Sequence, residues 1–283
     1  MIIAPGIDFD FVNEYDVVKV PHAWKGGDQL TVLKTQLDAL SNGENFVMTI
    51  PPAPFRCPPG PYERACVVAD YLRNVRGLTS SNVVVLDANS DVLVEPEMFK
   101  AEFSRLGVDY RANQTVTAVN DSIPSVTTQS GAVNAGALNV IPSMKSAQII
   151  TDLGLNNSTD GKWAQVNPKT FESTAVAGVY VIGDAQAISN LPKAGHIANS
   201  EAKVCADAVL RSLSGISAYA QPMVNSACYS PTSTTTASWL TAIYRFNGSE
   251  YVVAETGQSG TSTTTNYRQM WGWVNNLFGD TFA

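Results

Sequence analysis

The chain is 283 residues long, 45% hydrophobic and 15% charged, with a formal net charge of −7. That length leaves room for more than one core, and the acidic balance argues against nucleic acid or an anionic membrane as a partner. No run approaches the ~18 consecutive apolar residues of a membrane span, so no membrane insertion is expected.

The opening Met1-Ile2-Ile3-Ala4-Pro5-Gly6 has no basic region, apolar signal core or small-residue cleavage site. It reads as the end of a buried strand entering a turn, and upstream sequence is therefore expected. Residues 7–44 hold an extended polar segment and then a helix, Gly27–Leu40, with Leu30, Leu33, Leu37 and Leu40 on one face. Asn45–Ile50 (NFVMTI) is a short buried strand, and Glu63–Leu72 an amphipathic helix. Between them lies IPPAPFRCPPGPYER, at the strand–turn–helix junction where a dinucleotide fold keeps its phosphate loop. Such a loop needs glycines, so that backbone amides can close on a pyrophosphate. This one is crowded with prolines, which have no amide hydrogen and a fixed φ. It has a single glycine, Gly60, and presents a thiol, Cys57.

SNVVVLD (81–87) is a second buried strand, and Pro96–Leu106 a helix with acids at its start. Asp87 ends the strand where a dinucleotide fold has its ribose-binding acid; without the glycine loop it is expected only to cap a turn. VDYRAN, TVTAVN and the closing strand ALNVIP (137–142) complete a βαβ unit with antiparallel strands. A second unit, 146–217, contains the short helix SAQIITDLG, a turn-rich connection, the strand GVYVIGDAQ (178–186) and a helix, Ala198–Leu213. From residue 218 come serine- and threonine-rich turns, strand-like ASWLTAIYRF and EYVVAE, and a terminal helix. In that helix Met270, Trp273, Val274 and Leu277 recur at helical spacing, with Arg268 the sole cation. Core packing is expected there rather than an interfacial membrane anchor.

The four cysteines form no CxxC pair, and with only His22 and His196 beside them no metal site is expected. Cys66 and Cys205 sit at helical spacing among small apolar residues and read as buried. Cys57 and Cys228 lie in polar, turn-rich segments and form a candidate disulfide, a pairing the residues alone leave open. In VYVIGDA (179–185) a strand stops at Gly183-Asp184, which can aim the Asp184 carboxylate at a ligand hydroxyl. The helix start near Lys193-Ala194-Gly195 can stabilise negative charge.

The string VYVIGDAQAISNLPKAGHIANSEAKVCADAV resembles the C-terminal FAD motif of the disulfide-reductase-like flavoproteins. Together with the proline loop, VPHAWKGG, NVIP, VNPKTFES, NSACYS and NNLFGDTFA, the whole chain resembles the flavoprotein subunit of flavocytochrome c sulfide dehydrogenase. The resemblance implies an α/β fold of Rossmann-like three-layer units, a partial FAD domain plus an NAD-like central domain, with a small α+β C-terminal domain. Residues 1–14 are then the end of the FAD-binding domain and 15–141 the central domain with the cysteine loop. Residues 142–217 are the C-terminal part of the FAD-binding domain, and 218–283 cap the flavin. The implied function is FAD-dependent oxidation of sulfide through a redox-active disulfide, in the periplasm, with electrons passed to a c-type cytochrome subunit. Cys57 and Cys228 match the disulfide, and Glu63 an acid beside it. Pro5 and Gly6 match a FAD-contacting turn, Gly183 and Asp184 the ribityl site. Pro192, Lys193 and Gly195 match the turn at the pyrimidine end of the flavin, and Trp273 an aromatic near it. His196 stands where the family has an aromatic and Glu201 where it has an amide. The family's glycine-rich pyrophosphate loop and flavin-attachment cysteine do not occur in this chain, which is expected to be an N-terminally truncated form. Alternatives are a sulfide:quinone or NADH:quinone oxidoreductase of the same superfamily, or a catalytically silent assembly surface.

Overall fold

In the computed structural model, which describes residues 1–282, two short strands open the chain: β1 (Ile2–Ile3) and β2 (Ile7–Asp10). Between them Gly6 takes a φ of +72°, a value that favours glycine. Helix α1 (Asp28–Ala39) buries Leu33 and Leu37, and Leu40 continues that face; Leu30, expected on it, is exposed.

Strands β3 (Phe46–Ile50) and β4 (Val83–Asp87) are buried at every residue, as a parallel sheet covered on both faces requires. The proline loop and α2 (Gly60–Asp70) connect them, and α2 runs on into a π-helical turn over 71–75. It starts three residues before the expected Glu63. Pro61 in the first turn has its φ preset and lacks an amide that would have no acceptor there anyway. Helix α3 (Pro96–Leu106) leads to β5 (Asp109–Arg111). The meander β6 (Val116–Asn120), β7 (Ser125–Thr128) and β8 (Gly131–Asn134) follows, then β9 (Ala137–Val140). The sheet order is β5-β4-β3-β9 and every pairing in it is parallel. Within this unit the antiparallel pairing is confined to β6–β8; the closing strand, expected over 137–142, joins the parallel sheet as β9, consistent with burial of all four β9 residues. One core lies between the sheet and the helices (Phe46, Met48, Tyr62, Phe99). Another lies between the sheet and the meander (Val47, Leu86, Val126, Leu138). The result is three layers.

Strand β10 (Ser143–Ser146) returns antiparallel to β2, followed by α4 (Gln148–Asp152). Strand β11 (Tyr180–Val181) runs parallel to β1. The strand expected over 178–186 is regular for these two residues only; Gly183, at φ +72°, turns the chain into a 3-10 turn over Gly183–Ala185. Helix α5 (Gly195–Leu213) begins three residues before the expected Ala198, directly after the LPKA turn. The last unit is an antiparallel sheet of β12 (Met223–Pro231), β13 (Ala237–Phe246) and β14 (Tyr251–Gln258), with α6 (Thr264–Phe282) against it. In α6 Met270 is buried, and Trp273, Val274 and Leu277 are half-buried. Trp271 and Phe278 are exposed. Cys228, expected in a loop, lies within β12 opposite Leu240; the serines that suggest a turn alternate along an edge strand instead. No described helix is long and apolar enough to cross a membrane.

Candidate active site

The proline loop sets Cys57 at the start of α2. Cys57 has a φ of +60°, a region L-residues seldom occupy, held at a cost of about 1–2 kcal/mol. Two backbone bonds fix it there. Its N–H donates to the Lys193 carbonyl at 2.7 Å, and its own carbonyl accepts from Gly60 N–H at 2.9 Å. The VPHAWKGG segment forms the loop's outer brace. Trp24 Nε1 donates to the Arg56 carbonyl at 3.1 Å, and the Arg56 guanidinium donates back to the Trp24 carbonyl. Arg64 donates to the carbonyls of His22 and Ala23 and to Asn139 Oδ1, with its guanidinium 4.7 Å from the Trp24 ring centre. Trp24, Arg56, Cys57, Glu63, Arg64 and Pro231 line a cavity of about 420 Å³. Gly60 is required by the close approach at its rim. A Cβ there would lie 2.9 Å from the Trp24 ring and 3.0 Å from Cys57 Sγ.

Strand β12 packs on α2, and this brings Cys228 into the electrostatic surroundings of Cys57. Both cysteines are free thiols in the structure. Burial, reinforced by the Glu63 carboxyl near both, pushes the Cys57 thiol well above its ordinary value and that of Cys228 up to about 11. Glu63, in the first turn of α2, is itself pushed up to about 8 by burial and by the neighbouring Glu95, against a hydrogen bond from Ser230 and the charge of Arg64. At neutral pH it is therefore mostly protonated. Glu95 begins α3 at a φ of +46° and is buried; its Oε2 accepts from Ser230 Oγ at 3.2 Å.

The turn between β11 and α5 forms the other side. Gly183 approaches α5 so closely that a Cβ would sit 3.3 Å from Ala198 Cβ. Asp184, largely buried, has its carboxyl raised by desolvation against the charges of Arg56 and Lys193. Lys193 is buried; its Nζ donates to the carbonyls of Asp184 and Gln186, both at 2.8 Å, and lies 3.7 Å from the centre of the Trp163 ring. Its ammonium thus braces the turn from behind. Glu201 faces inward too, accepting from Gly183 N–H at 2.5 Å and Gln186 Nε2 at 2.9 Å. Where the family has an amide, Glu201 thus holds the Gly183–Gln186 turn. Burial pushes its carboxyl up to about 8.

The residues around this turn suit the flavin end of FAD. Helix α5 starts without a side-chain cap, so its first amides are open. His196 Nδ1 and Trp273 Nε1 are buried without a partner, their rings 6.2 Å apart, with Tyr229 5.6 Å from Trp273. Orphaned polar atoms beside an open helix start and Asp184 suit the heteroatoms of a flavin ring. Pro192 lies on the same turn and Gly195 opens α5. Pro5 and Gly6 lie in the β1–β2 turn, half-buried, and the Gly6 carbonyl accepts from Ala147 N–H. For the adenylate end, the sequence contains no G-x-G-x-x-G loop. Trp24, Arg56, Arg64, Glu95 and Ser230 were missed as site residues. VPHAWKGG was visible as a motif, but nothing in spacing places Glu95 or Ser230 beside Glu63.

The model of the central region of the sulfide dehydrogenase (flavocytochrome c) flavoprotein chain matches residues 30–142, and that of the flavin-binding region of flavocytochrome c sulphide dehydrogenase matches 220–282. Together they take in more than half of the chain. The chain belongs to this flavoprotein family. Its cofactor is accordingly FAD. Among solved structures, the sulfide:quinone oxidoreductase of Aquifex aeolicus superposes with a TM-score of 0.79 at 14% identity, over 99% of this chain and 69% of that one. A chain in the Tetrahymena thermophila mitochondrial ATP synthase gives 0.66 at 14%, over 88% and 64%. The NAD-dependent persulfide reductase of A. fulgidus gives 0.53 at 10%, over 95% and 56%. Such low identities speak for the fold alone. The chain therefore spans between about half and two-thirds of these relatives' lengths.

Proposed function

We propose that the chain carries the sulfur-handling half of an FAD-dependent sulfide dehydrogenase, in which Cys57 and Cys228 cycle between disulfide and thiols. The observation that carries this reading is the shared neighbourhood of the two cysteines and Glu63, with Cys57, and not Cys228, on the solvent-open cavity. FAD, when bound, supplies the two-electron acceptor.

The arginines of the cavity suit a small anion. Hydrosulfide drawn to Arg56 and Arg64 attacks the Cys57 sulfur of the disulfide. A sulfur–sulfur bond forms to Cys57 as the Cys57–Cys228 bond breaks, and the electron pair leaves on Cys228. Glu63 then gives its proton to that thiolate. The transfer runs downhill, because the thiol settles near 11 and Glu63 near 8. The proline loop adds rigidity: six of the fifteen residues from Ile50 to Arg64 have φ locked by proline, so less order is lost in reaching an attack geometry.

A c-type cytochrome as final acceptor and a periplasmic location belong to the same proposal, supported by the family's description as a flavocytochrome chain. The test is anaerobic addition of sulfide to the purified, FAD-supplied protein, followed by cytochrome c or quinone. Sulfide should bleach the flavin and cytochrome c should restore its colour. Bleaching at the normal rate in Cys57→Ser refutes the sulfur chemistry, and reoxidation by quinone alone refutes the cytochrome acceptor.

A further inference from the structure

Strand β3 reads Phe46-Val47-Met48-Thr49-Ile50, and Thr49 is its one polar residue. Thr49 pairs with Leu86 of β4 and Val140 of β9 and is 1% exposed, yet its hydroxyl has no hydrogen-bond partner. Valine would fill the same space without leaving a buried hydroxyl unpaired. Thr49 shares a face with Val47, two residues earlier, and so points to the meander side of the sheet, whereas Cys57 packs against the helix-side core. Tyr15 packs against the meander-side core, and its phenol oxygen is a second buried atom without a partner.

Thr49 and Tyr15 line one cleft of about 250 Å³. It lies at the carboxyl ends of β3 and β9, where the strand order reverses: from β3 the chain steps outward to β4 and β5, then returns to the other side as β9. Open α/β sheets bind ligands in such a crevice. The walls select the chemistry. They are apolar at Phe11, Ile50, Val116 and Ile141, and Phe11 meets the Tyr15 ring edge-on at 5.4 Å. No lysine, arginine or histidine lines the cleft, and its one carboxylate, Asp10, is paired with Lys162 at 2.8 Å. Pro51, Pro52 and Pro142, also in the wall, have no amide hydrogen to offer. An anion finds no counter-charge here, and a dinucleotide finds neither charge nor room. Burial holds the Tyr15 phenol well above its ordinary value, so it stays neutral. Each hydroxyl can therefore donate or accept. An apolar cavity of about 150 Å³ is enough for benzene, and the larger cleft leaves space for a ring with a small polar substituent.

We propose that this cleft binds a neutral molecule of single-ring size carrying a hydroxyl or carbonyl oxygen, which the Thr49 and Tyr15 hydroxyls hold by hydrogen bonds. The site lies on the opposite face of the sheet from the Cys57 loop and does not depend on the proposed sulfide oxidation.

The test is an NMR titration of the full chain with phenol, benzene and benzoate, in wild type, Thr49→Val and Tyr15→Phe. Phenol should bind at one site, moving the amide signals of Ala88, Val116 and Ile141. Benzene should bind about tenfold more weakly, the loss expected for one hydrogen bond, and benzoate not at all. Each variant should weaken phenol about tenfold and leave benzene unchanged. Valine suits a buried strand, so Thr49→Val keeps the test usable should Tyr15→Phe fail to fold. Added FAD should not displace phenol. Absence of saturable phenol binding, the result expected if water alone meets the two hydroxyls, overturns the proposal. So do equal affinities for phenol and benzene, benzoate binding as tight as that of phenol, phenol binding unaltered in the folded variants, or displacement by FAD.

Discussion

Glu63→Gln should make the protein more stable at high pH while leaving it unchanged at low pH. The folded chain holds a proton at Glu63 up to about pH 8, whereas the unfolded chain releases it near 4.5. Between those values the folded state binds more protons, so stability is full below about pH 4.5 and declines as pH rises towards 8. A rise of about 3.5 units at ~1.4 kcal/mol each sets a ceiling of about 5 kcal/mol; the water-open cavity beside the carboxyl reduces this to roughly 2–3 kcal/mol. Glutamine resembles the protonated acid and has nothing to lose. Urea unfolding at pH 5, 7 and 9 should therefore give matching stabilities at pH 5 and a variant about 2–3 kcal/mol more stable at pH 9. Glu201, also raised to about 8, contributes a similar slope to both proteins and cancels in the comparison. If wild type and variant decline in parallel, Glu63 is ionised at neutral pH and cannot protonate a departing thiolate.

Gly60→Ala forces a methyl against the Trp24 ring and Cys57 Sγ; a loss of about 1–3 kcal/mol in urea unfolding and slowed alkylation of Cys57 by iodoacetamide are expected. Arg64→Met strands two carbonyls and Asn139 Oδ1, and should cost about 3 kcal/mol in the same assay. Asp87→Leu strips the hydroxyls of Tyr62 and Tyr110 of their shared acceptor. It should destabilise by about 2–4 kcal/mol while leaving Cys57 alkylation in the folded protein unchanged.

The parallel sheet was legible because VMTI and VVVL are apolar without alternation, which only a doubly covered strand satisfies. The helices were legible from period, but their starts were not. Both α2 and α5 begin three residues before the periodic region, since Pro61 and the LPKA turn position the chain without adding to an apolar stripe. Cys228 looked like a loop residue because serine and asparagine signal turns, whereas on this edge strand Ser226 and Ser230 share the buried face with Val224 and Asn225 takes the exposed one. Asp87 was read as a turn cap, and it is one: it accepts from Asn89 N–H at 2.8 Å and from two tyrosines besides. Glu63 was found through family resemblance alone. Glu95 lies 32 residues along the chain, and the packing of β12 on α2 brings Ser230, which donates to Glu95, to the same cluster.

The two sulfurs have different surroundings, and this gives the proposed disulfide a direction. Cys57 lies on the arginine-lined cavity, fixed by a backbone bond to Lys193, the residue whose ammonium braces the turn at Asp184. Cys228 is absent from that cavity wall; its neighbour along β12, Tyr229, reaches Trp273. In the proposed cycle an incoming sulfur nucleophile therefore meets Cys57, and the electron pair departs on Cys228. Single-cysteine variants expose this asymmetry. Treated with a polysulfide donor, Cys228→Ser should gain one sulfur atom at Cys57, read by intact-mass spectrometry. Cys57→Ser, its remaining thiol away from the cavity, should gain about tenfold less. Equal labelling of the two variants would mean that both sulfurs meet the substrate side, and the assignment of Cys57 as the attacked atom would fall.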